Sequence, residues 1–244
     1  MSIDTPASSG RALTLGIDIS GAVSVAVADG ERVIAERTDE RARHHDEVLL
    51  AMIDEAVAEA GASRTDIARV VAGRGPGPFT GLRVGLVTAR SIAHVLGADL
   101  RGLSSLDALA LAAAEEFPEA RRIAVVLDAR RKEVYYAEYA ATPGDGAPTL
   151  RREIEPSVGA PAEVAALLGG ARVIVGSGAH LYPDLLPPAG TLEHASAGAL
   201  IRAAAAAEAR GESLESTEPL YLREPDAAKP TRRKSALGLG DRAL

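Results

Sequence analysis

The sequence contains no cysteine, no tryptophan and few other aromatic residues: two phenylalanines and five tyrosines in 244 positions. Without cysteine, the chain cannot form disulfides, use a thiolate nucleophile or bind zinc through sulfur. The shortage of aromatic rings means that alanine, valine and leucine must build the core. It also leaves few platforms on which the bases of single-stranded nucleic acid could stack.

Long apolar runs and an excess of basic residues are missing as well. No run approaches the roughly 18 apolar residues of a membrane span, and residues 1–10 lack the basic start and apolar centre of a secretory signal. We therefore expect a cytoplasmic protein with no membrane partner. The net charge of −7 argues against broad, sequence-independent binding of nucleic acid, although it leaves room for a local basic patch.

The most distinctive stretch is GPGPFTGLRVG, residues 75–85. Glycine and proline alternate at its start, which fixes a backbone path rather than a packing surface. An apolar run at residues 68–72 precedes it, and a helical pattern at residues 82–96 follows it. The pattern predicts a strand, a rigid turn and a helix whose N-terminus could hold an anion or a partner's carboxylate.

The predicted helix 82–96 has an unusually wide apolar surface. Arg83, Arg90 and His94 form one narrow stripe, and the rest of the circumference is apolar or small. A surface helix needs only about 100° of apolar face, so a second side of this helix must be covered too. Two coverings remain open: another element of the same chain, or the surface of a second subunit.

Two hairpins, one in each half of the chain, carry candidate ligand groups. Asp18 and Ser20 lie at the turn after a predicted strand, 13–19, where they could serve a nucleotide and metal site. Such an aspartate more commonly caps its turn. In the second half, Arg130, Arg131 and Lys132 occupy the turn after strand 123–127 and could contact a phosphate or RNA, although solvated turn charges are commoner.

The other predicted elements complete two α/β halves. They include an amphipathic helix at 46–60, a helix at 106–116 with Ser104 or Ser105 as its N-cap, a strand at 172–175 and an alanine-rich helix at 195–210. The serine is better explained as a helix N-cap than as a nucleophile, because no G-x-S-x-G elbow is present. Since the second half loosely repeats the first, the sequence predicts two related α/β lobes with mixed sheets.

With these residues in view, the chain resembles the TsaB (YeaZ) family, a subunit of the bacterial machinery that makes threonylcarbamoyladenosine in tRNA. The resemblance is carried by the 75–85 motif, by LGID at residues 15–18, by LSSLDAL at 103–109 and by PLYLR at 219–223. It implies the actin-like (ASKHA, ribonuclease H-like) two-lobe α/β fold. The lobes are then expected at residues 11–103 and 104–223, between disordered tails at 1–10 and 224–244.

The resemblance also implies an accessory role, in which the protein binds and activates a catalytic sister subunit of the TsaD type. Ser105 and Leu109 stand where that sister carries two metal-binding histidines, so we expect no metal, no cofactor and no catalytic residue here. The turn at residues 18–21 is shorter than the family's usual turn and has fewer hydroxyl groups, which counts against nucleotide binding. Pro78 replaces the family's usual serine and stiffens the central turn.

The expected partners follow from the same resemblance. They are the TsaD-type subunit, a TsaE-type ATPase in the same complex and a possible second copy of this chain, with tRNA contacted indirectly or through the complex. The interface is expected on the two first-lobe helices, at Leu49, Met52, Leu82, Arg83, Leu86, Val87, Arg90 and His94.

The alternative is an ATP-binding or ATP-hydrolysing enzyme of the actin-like class, which would act from the cleft between its lobes. Its candidate nucleotide contacts are weak ones: Asp18, Ser20, Gly75, Gly77, Gly176 and Gly178. A glycoprotease, a label attached to the wider family, is disfavoured because the sequence offers neither metal ligands nor a nucleophile with a base.

Overall fold

The computed structural model describes residues 10–41, 45–144, 147–169, 173–214 and 216–223. The predicted tails, apart from Gly10, lie outside this part of the chain. In chain order the elements are β1 (Leu13–Asp18), β2 (Val23–Asp29), β3 (Arg32–Asp39), α1 (His45–Glu59), β4 (Ile67–Gly73), α2 (Phe79–Leu96), β5 (Asp99–Leu103), α3 (Ser105–Glu116), β6 (Arg122–Asp128), β7 (Val134–Thr142), β8 (Thr149–Gly159), α4 (Pro161–Leu168), β9 (Val173–Val175), α5 (Ser177–Leu181) and α6 (Ala197–Ala209).

The first sheet has the strand order β3-β2-β1-β4-β5. Strands β1 to β3 are antiparallel, and β4 and β5 run parallel to β1. Alternate residues of β1, Leu13, Leu15 and Ile17, are buried against α1 and α2. The predicted hairpins, the strand before the central motif and both first-lobe helices are therefore present.

The second sheet has the order β8-β7-β6-β9 and repeats the antiparallel-then-parallel design of the first. The two faces of β6 pack in two different hydrophobic clusters. Ile123 and Val125 belong to the cluster that contains α3. Ala124 and Val126 belong to the cluster that contains α4 and α5. The sequence analysis predicts no strand at β8. This edge strand buries none of its residues fully, and the charged run Arg151, Arg152 and Glu153 interrupts the alternation of apolar and polar residues that would indicate a strand.

Helices α3 and α6 lie between the two sheets. Although α6 comes from the second half of the sequence, Ala197 and Ile201 pack on Ala26 and Ala28 of the first sheet. The N-terminus of α6 is held there by Ser24, whose Oγ accepts the amide of Ala197 over 2.8 Å. The predicted α/β class with two mixed sheets is confirmed, while the division into lobes at residue 103 stays a prediction.

Within the described part of the chain, no helix is both long enough and apolar enough to cross a membrane.

Candidate functional site

The central motif lies between the first hairpin and the turn that joins β6 to β7. β4 ends at Gly73, the chain turns through residues 74–78, and α2 begins at Phe79 with Pro78 as its N-cap. Gly75 has a φ of +89°, a conformation that L side chains rarely adopt, so glycine is required there. The predicted order of strand, rigid turn and helix is confirmed.

Asp18, at the end of β1, is buried beneath this turn and is fully engaged by its own chain. Its Oδ1 accepts the amide of Ser20 at 2.8 Å and the hydroxyl of Ser20 at 2.5 Å, and its Oδ2 accepts the hydroxyl of Ser105 at 2.5 Å. Burial raises the pKa of Asp18, and the hydrogen bonds from Ser105 and Ser20 oppose that rise. The carboxylate thus holds the first hairpin turn and the start of α3 together. Ser104, not Ser105, is the side-chain N-cap of α3.

The turn at Ser20 and Gly21 is packed closely on two sides. A Cβ atom at Gly77 would lie 2.4 Å from the carbonyl oxygen of Ser20, and one at Gly21 would lie 2.3 Å from Nδ1 of His194. The backbone of the central motif therefore contacts the first hairpin directly. No phosphate group could fit between Ser20 and Gly77 without displacing one of these segments.

The six nucleotide candidates divide into two groups. Asp18, Ser20, Gly75 and Gly77 meet in the network just described, and the amide of Gly75 donates to Oγ of Ser105 over 3.2 Å. Gly176 is the N-cap of α5 and Gly178 lies in its first turn, where added Cβ atoms would collide with the backbone of Val126 and Leu127 in β6. These glycines permit close packing of the second lobe. Among the described residues, no three His, Cys, Asp or Glu side chains form a group suited to a metal ion.

The expected interface residues also divide into two groups. Leu49, Met52, Leu82 and Leu86 are buried in the chain's own core, which corrects the expectation that they are anchors for a partner. The remaining four, Arg83, Val87, Arg90 and His94, lie on the outer side of α2.

The surface of α1 and α2 carries exposed apolar side chains that the sequence analysis does not select. Leu50 is 59% exposed and Val95 is 79% exposed, beside Val87 at 60%. Leu50 and Val95 line a groove of about 330 Å³ between the two helices, together with Ile92 and Leu96. Helical periodicity identifies both helices as amphipathic, but it does not show which apolar residues the sheet leaves uncovered.

The chain's C-terminal segment, residues 216–223, docks against the arginine stripe of α2. Arg90 donates to Oγ1 of Thr217 at 3.1 Å and to its carbonyl oxygen at 2.6 Å, and Arg83 donates to the hydroxyl of Tyr221 at 3.0 Å. The ring of Tyr221 stacks on Phe79 with centroids 5.2 Å apart. Arg83 and Arg90, both expected in the partner interface, therefore form hydrogen bonds within the chain. No local pattern in the sequence indicates where this segment docks.

A second groove, of about 450 Å³, opens between this segment and the turn that joins β6 to β7. Residues Arg130, Arg131 and Lys132 of that turn all have positive φ, at 61°, 55° and 62°. Left-handed conformations are unfavourable for residues with a Cβ atom, and three in succession are rare. Arg223 joins the two walls by donating to the carbonyl oxygen of Ala129 at 3.2 Å and by pairing with Glu133.

Comparisons with known proteins point to one family. The family model of TsaD, tRNA N6-adenosine threonylcarbamoyltransferase, matches residues 32–180. A protein of Mycobacterium tuberculosis is 37% identical over 195 residues, covering 80% of this chain and 82% of its own length. The tRNA threonylcarbamoyladenosine biosynthesis protein TsaB of Escherichia coli is 34% identical over 203 residues, covering 77% and 84% respectively.

The solved structure of YeaZ from Pseudomonas aeruginosa is similar to this one with a TM-score of 0.73 and 29% sequence identity. The match covers 87% of this chain and 100% of that chain. Together with the strand orders of the two sheets, this likeness confirms the predicted α/β fold with two mixed sheets and shows that the chain shares the fold of YeaZ.

Proposed function

Because the chain belongs to the TsaB (YeaZ) family of tRNA threonylcarbamoyladenosine biosynthesis proteins, we propose that it is a non-catalytic subunit that binds and activates a TsaD-type partner. The observation that carries the proposal is the exposed apolar surface of α1 and α2. Leu50, Val87 and Val95 each leave more than half of their surface uncovered, and the first and last of these line one groove. Exposed apolar patches of this kind are typical of protein interaction sites.

The state of the first hairpin supports the accessory role. In the described structure Asp18 is buried and hydrogen-bonded, and the motif at Gly77 packs directly against Ser20. Those are the groups that the rival hypothesis, an ATP-binding actin-like enzyme, would need to present to a nucleotide. A calorimetric titration with ATP and magnesium at near-millimolar concentration separates the two hypotheses, because measurable binding heat would favour the enzyme.

The proposed assembly contains the TsaD-type subunit on the α1 and α2 surface and a TsaE-type ATPase in the same complex. Self-association of this chain would use the same apolar surface. A second copy and the TsaD-type subunit therefore compete, and adding the partner should convert any homodimer into the mixed complex.

Light scattering of this protein, alone and mixed with a TsaD-type subunit, tests the proposal. We expect a stable species that contains both chains, and we expect Val87→Glu and Val95→Glu to weaken it at least about tenfold, since each places a charge in an apolar contact. Leu167→Glu is the matched control, because Leu167 is 56% exposed but lies on α4 in the other lobe. Two chains that remain separate, or equal weakening by the control, would reject the interface.

A further inference from the structure

The arginine stripe of α2 carries positive charge that no carboxylate of the described chain balances. Arg83, Arg90 and His94 are exposed on the outer side of the helix. The 18 residues of α2, all of which the structure describes, include no aspartate and no glutamate. Within the part of the chain that the structure describes, neither Arg83 nor Arg90 lies within ion-pair distance of a carboxylate. The stripe is therefore locally cationic on a protein whose net charge is −7.

Neutral groups hold both guanidiniums in place. Arg90 donates from Nε and Nη2 to the hydroxyl and the carbonyl oxygen of Thr217. Arg83 donates from Nε to the hydroxyl of Tyr221, and its guanidinium lies 3.9 Å above the ring of Phe79. These contacts orient the two side chains without cancelling their charge. Because a guanidinium has more N–H donors than the contacts use, both arginines can still bind an acceptor outside the chain.

The two arginines are separated by two turns of α2, with an apolar side chain between them. Seven positions along an α-helix rise about 10.5 Å and return to nearly the same face. Val87, four positions after Arg83 and three before Arg90, lies beside both of them and is 60% exposed. The stripe therefore presents a fixed order of positive, apolar and positive groups.

This spacing fits a helix of the partner and not a strand. Carboxylates at positions i and i+7 of an α-helix have the same separation of about 10.5 Å, and the residue at i+3 or i+4 lies between them. Side chains on one face of a β-strand recur at about 6.7 Å and again at about 13 Å, so neither repeat matches. A helix also covers Val87, whereas the phosphate backbone of a nucleic acid has no apolar group to place there.

We propose that the arginine stripe recognises an acidic helix of the partner subunit, one that carries two carboxylates seven positions apart with an apolar residue between them. The apolar residue meets Val87, and each carboxylate accepts charge-assisted hydrogen bonds from one guanidinium. The inference rests on the proposed function, because the same partner must cover Val87 and Val95. It also gives residues 216–223 a role: they orient both arginines before the partner arrives, which lowers the entropic cost of binding.

Stopped-flow measurement of complex formation with the TsaD-type subunit tests the charge. The double variant Arg83→Gln with Arg90→Gln should slow association about fivefold at about 0.05 M salt and less than about twofold at about 1 M, where the Debye length is about 3 Å. Arg83→Lys with Arg90→Lys is the matched control, since lysine also loses the planar fork that holds the segment but keeps the charge. It should associate at nearly the natural rate. Equal slowing by the two double variants would assign the effect to a loosened segment and overturn the inference.

The lysine variants also locate the partner's carboxylates. A carbodiimide joins an amine to a carboxylate that contacts it, and mass spectrometry of the linked peptides identifies both residues. The amines introduced at positions 83 and 90 should link to carboxylates seven positions apart in one helix of the partner. Arg202→Lys is the control, because Arg202 pairs with Glu115 of its own chain. Links only to Glu218, on the docked segment, would show that the chain balances the stripe itself, and would overturn the inference.

The remaining outcomes separate this inference from the proposed function. Failure of the natural protein to bind the TsaD-type subunit would reject both. A complex that forms at a rate independent of salt, and that Val87→Glu still weakens, would keep the apolar interface and reject the role of the arginine stripe. A double glutamine variant that binds the subunit normally but loses affinity for tRNA would assign the stripe to nucleic acid and reject the acidic helix.

Discussion

Ser105 donates its hydroxyl to Oδ2 of Asp18 over 2.5 Å, and both side chains are buried. The contact joins the end of β1 to the first turn of α3, which are separated by 87 positions in the sequence. Because Oγ of Ser105 also accepts the amide of Gly75, the central motif is part of the same network. The carboxylate of Asp18 and the hydroxyl of Ser105 thus link the first hairpin, the motif and α3 to one another.

Asp18→Asn should change how the free energy of unfolding depends on pH. Burial raises the folded-state pKa of Asp18 above its ordinary value of 3.8, with hydrogen bonds opposing the rise. A raised pKa means that the folded state binds the proton more tightly than the unfolded state does. The resulting stabilisation is complete below pH 3.8 and is lost as the pH rises through the folded pKa. Asparagine does not ionise and so lacks this loss, and its Nδ2 can donate to Oγ of Ser105 in place of the bond that Asp18 accepts from that hydroxyl.

Urea denaturation of both proteins between about pH 4 and pH 7 measures this effect. The stability of the Asp18→Asn variant relative to the natural protein should increase as the pH rises. A difference that is constant across this range, or one that falls with pH, would contradict the raised pKa.

Gly77→Ala should strongly destabilise the folded protein because the added Cβ atom would collide with Ser20, and not because alanine is unable to adopt the backbone conformation of Gly77. The new Cβ would lie 2.4 Å from the carbonyl oxygen and 2.8 Å from Cα of Ser20, both backbone atoms that cannot rotate away. We expect a loss of about 3 kcal/mol in the free energy of unfolding. Gly97→Ala is the control: Gly97 has a φ of +66° but no neighbour within 4 Å, so only the left-handed cost of about 1 kcal/mol applies. Equal losses in denaturation experiments would refute the close contact.

The sequence predicts the elements of the first lobe well because their signals are local. Glycine and proline set the path of the central motif, and alternation or helical periodicity marks the strands and helices around it. The docking of the C-terminal segment on α2 depends on contacts between residues about 130 positions apart, which no local pattern encodes. The same reason explains why α6 could not be assigned to the first sheet.

The neighbouring residues Leu49 and Leu50 show that a local sequence pattern does not determine which apolar side chains of a helix are buried. Both fall within one amphipathic helix, yet Leu49 is 1% exposed and Leu50 is 59% exposed. Periodicity gives the direction of the apolar face, but the width of the face that the sheet covers depends on tertiary packing. The predicted anchor at Leu49 is for this reason one position away from the accessible side chain.

Leu49→Ala and Leu50→Ala should therefore differ in their effects. Removal of the buried side chain leaves a cavity and should cost about 2–5 kcal/mol, whereas removal of the exposed one should change the free energy of unfolding by less than about 0.5 kcal/mol. Thermal or chemical denaturation of the isolated protein measures both. Comparable losses for the two variants would show that Leu50 is covered in solution, for example by a second copy of the chain.

Arg90→Ala should loosen the C-terminal segment without unfolding the protein. Arg90 holds Thr217 through two hydrogen bonds, and the amide of Leu220, further along the same segment, donates to the carbonyl oxygen of Arg74 at 2.9 Å. Loss of the arginine should lower the free energy that keeps the segment docked by about 1–2 kcal/mol, so hydrogen exchange at Leu220 should accelerate about fivefold to thirtyfold. Arg202→Ala is the control, because it removes another surface arginine, one that pairs with Glu115 of α3. If Arg90→Ala leaves exchange at Leu220 unchanged, or if the control accelerates it equally, Arg90 does not hold the segment, and its docking depends on the contacts of Arg83 with Tyr221 and of Leu220 with Arg74.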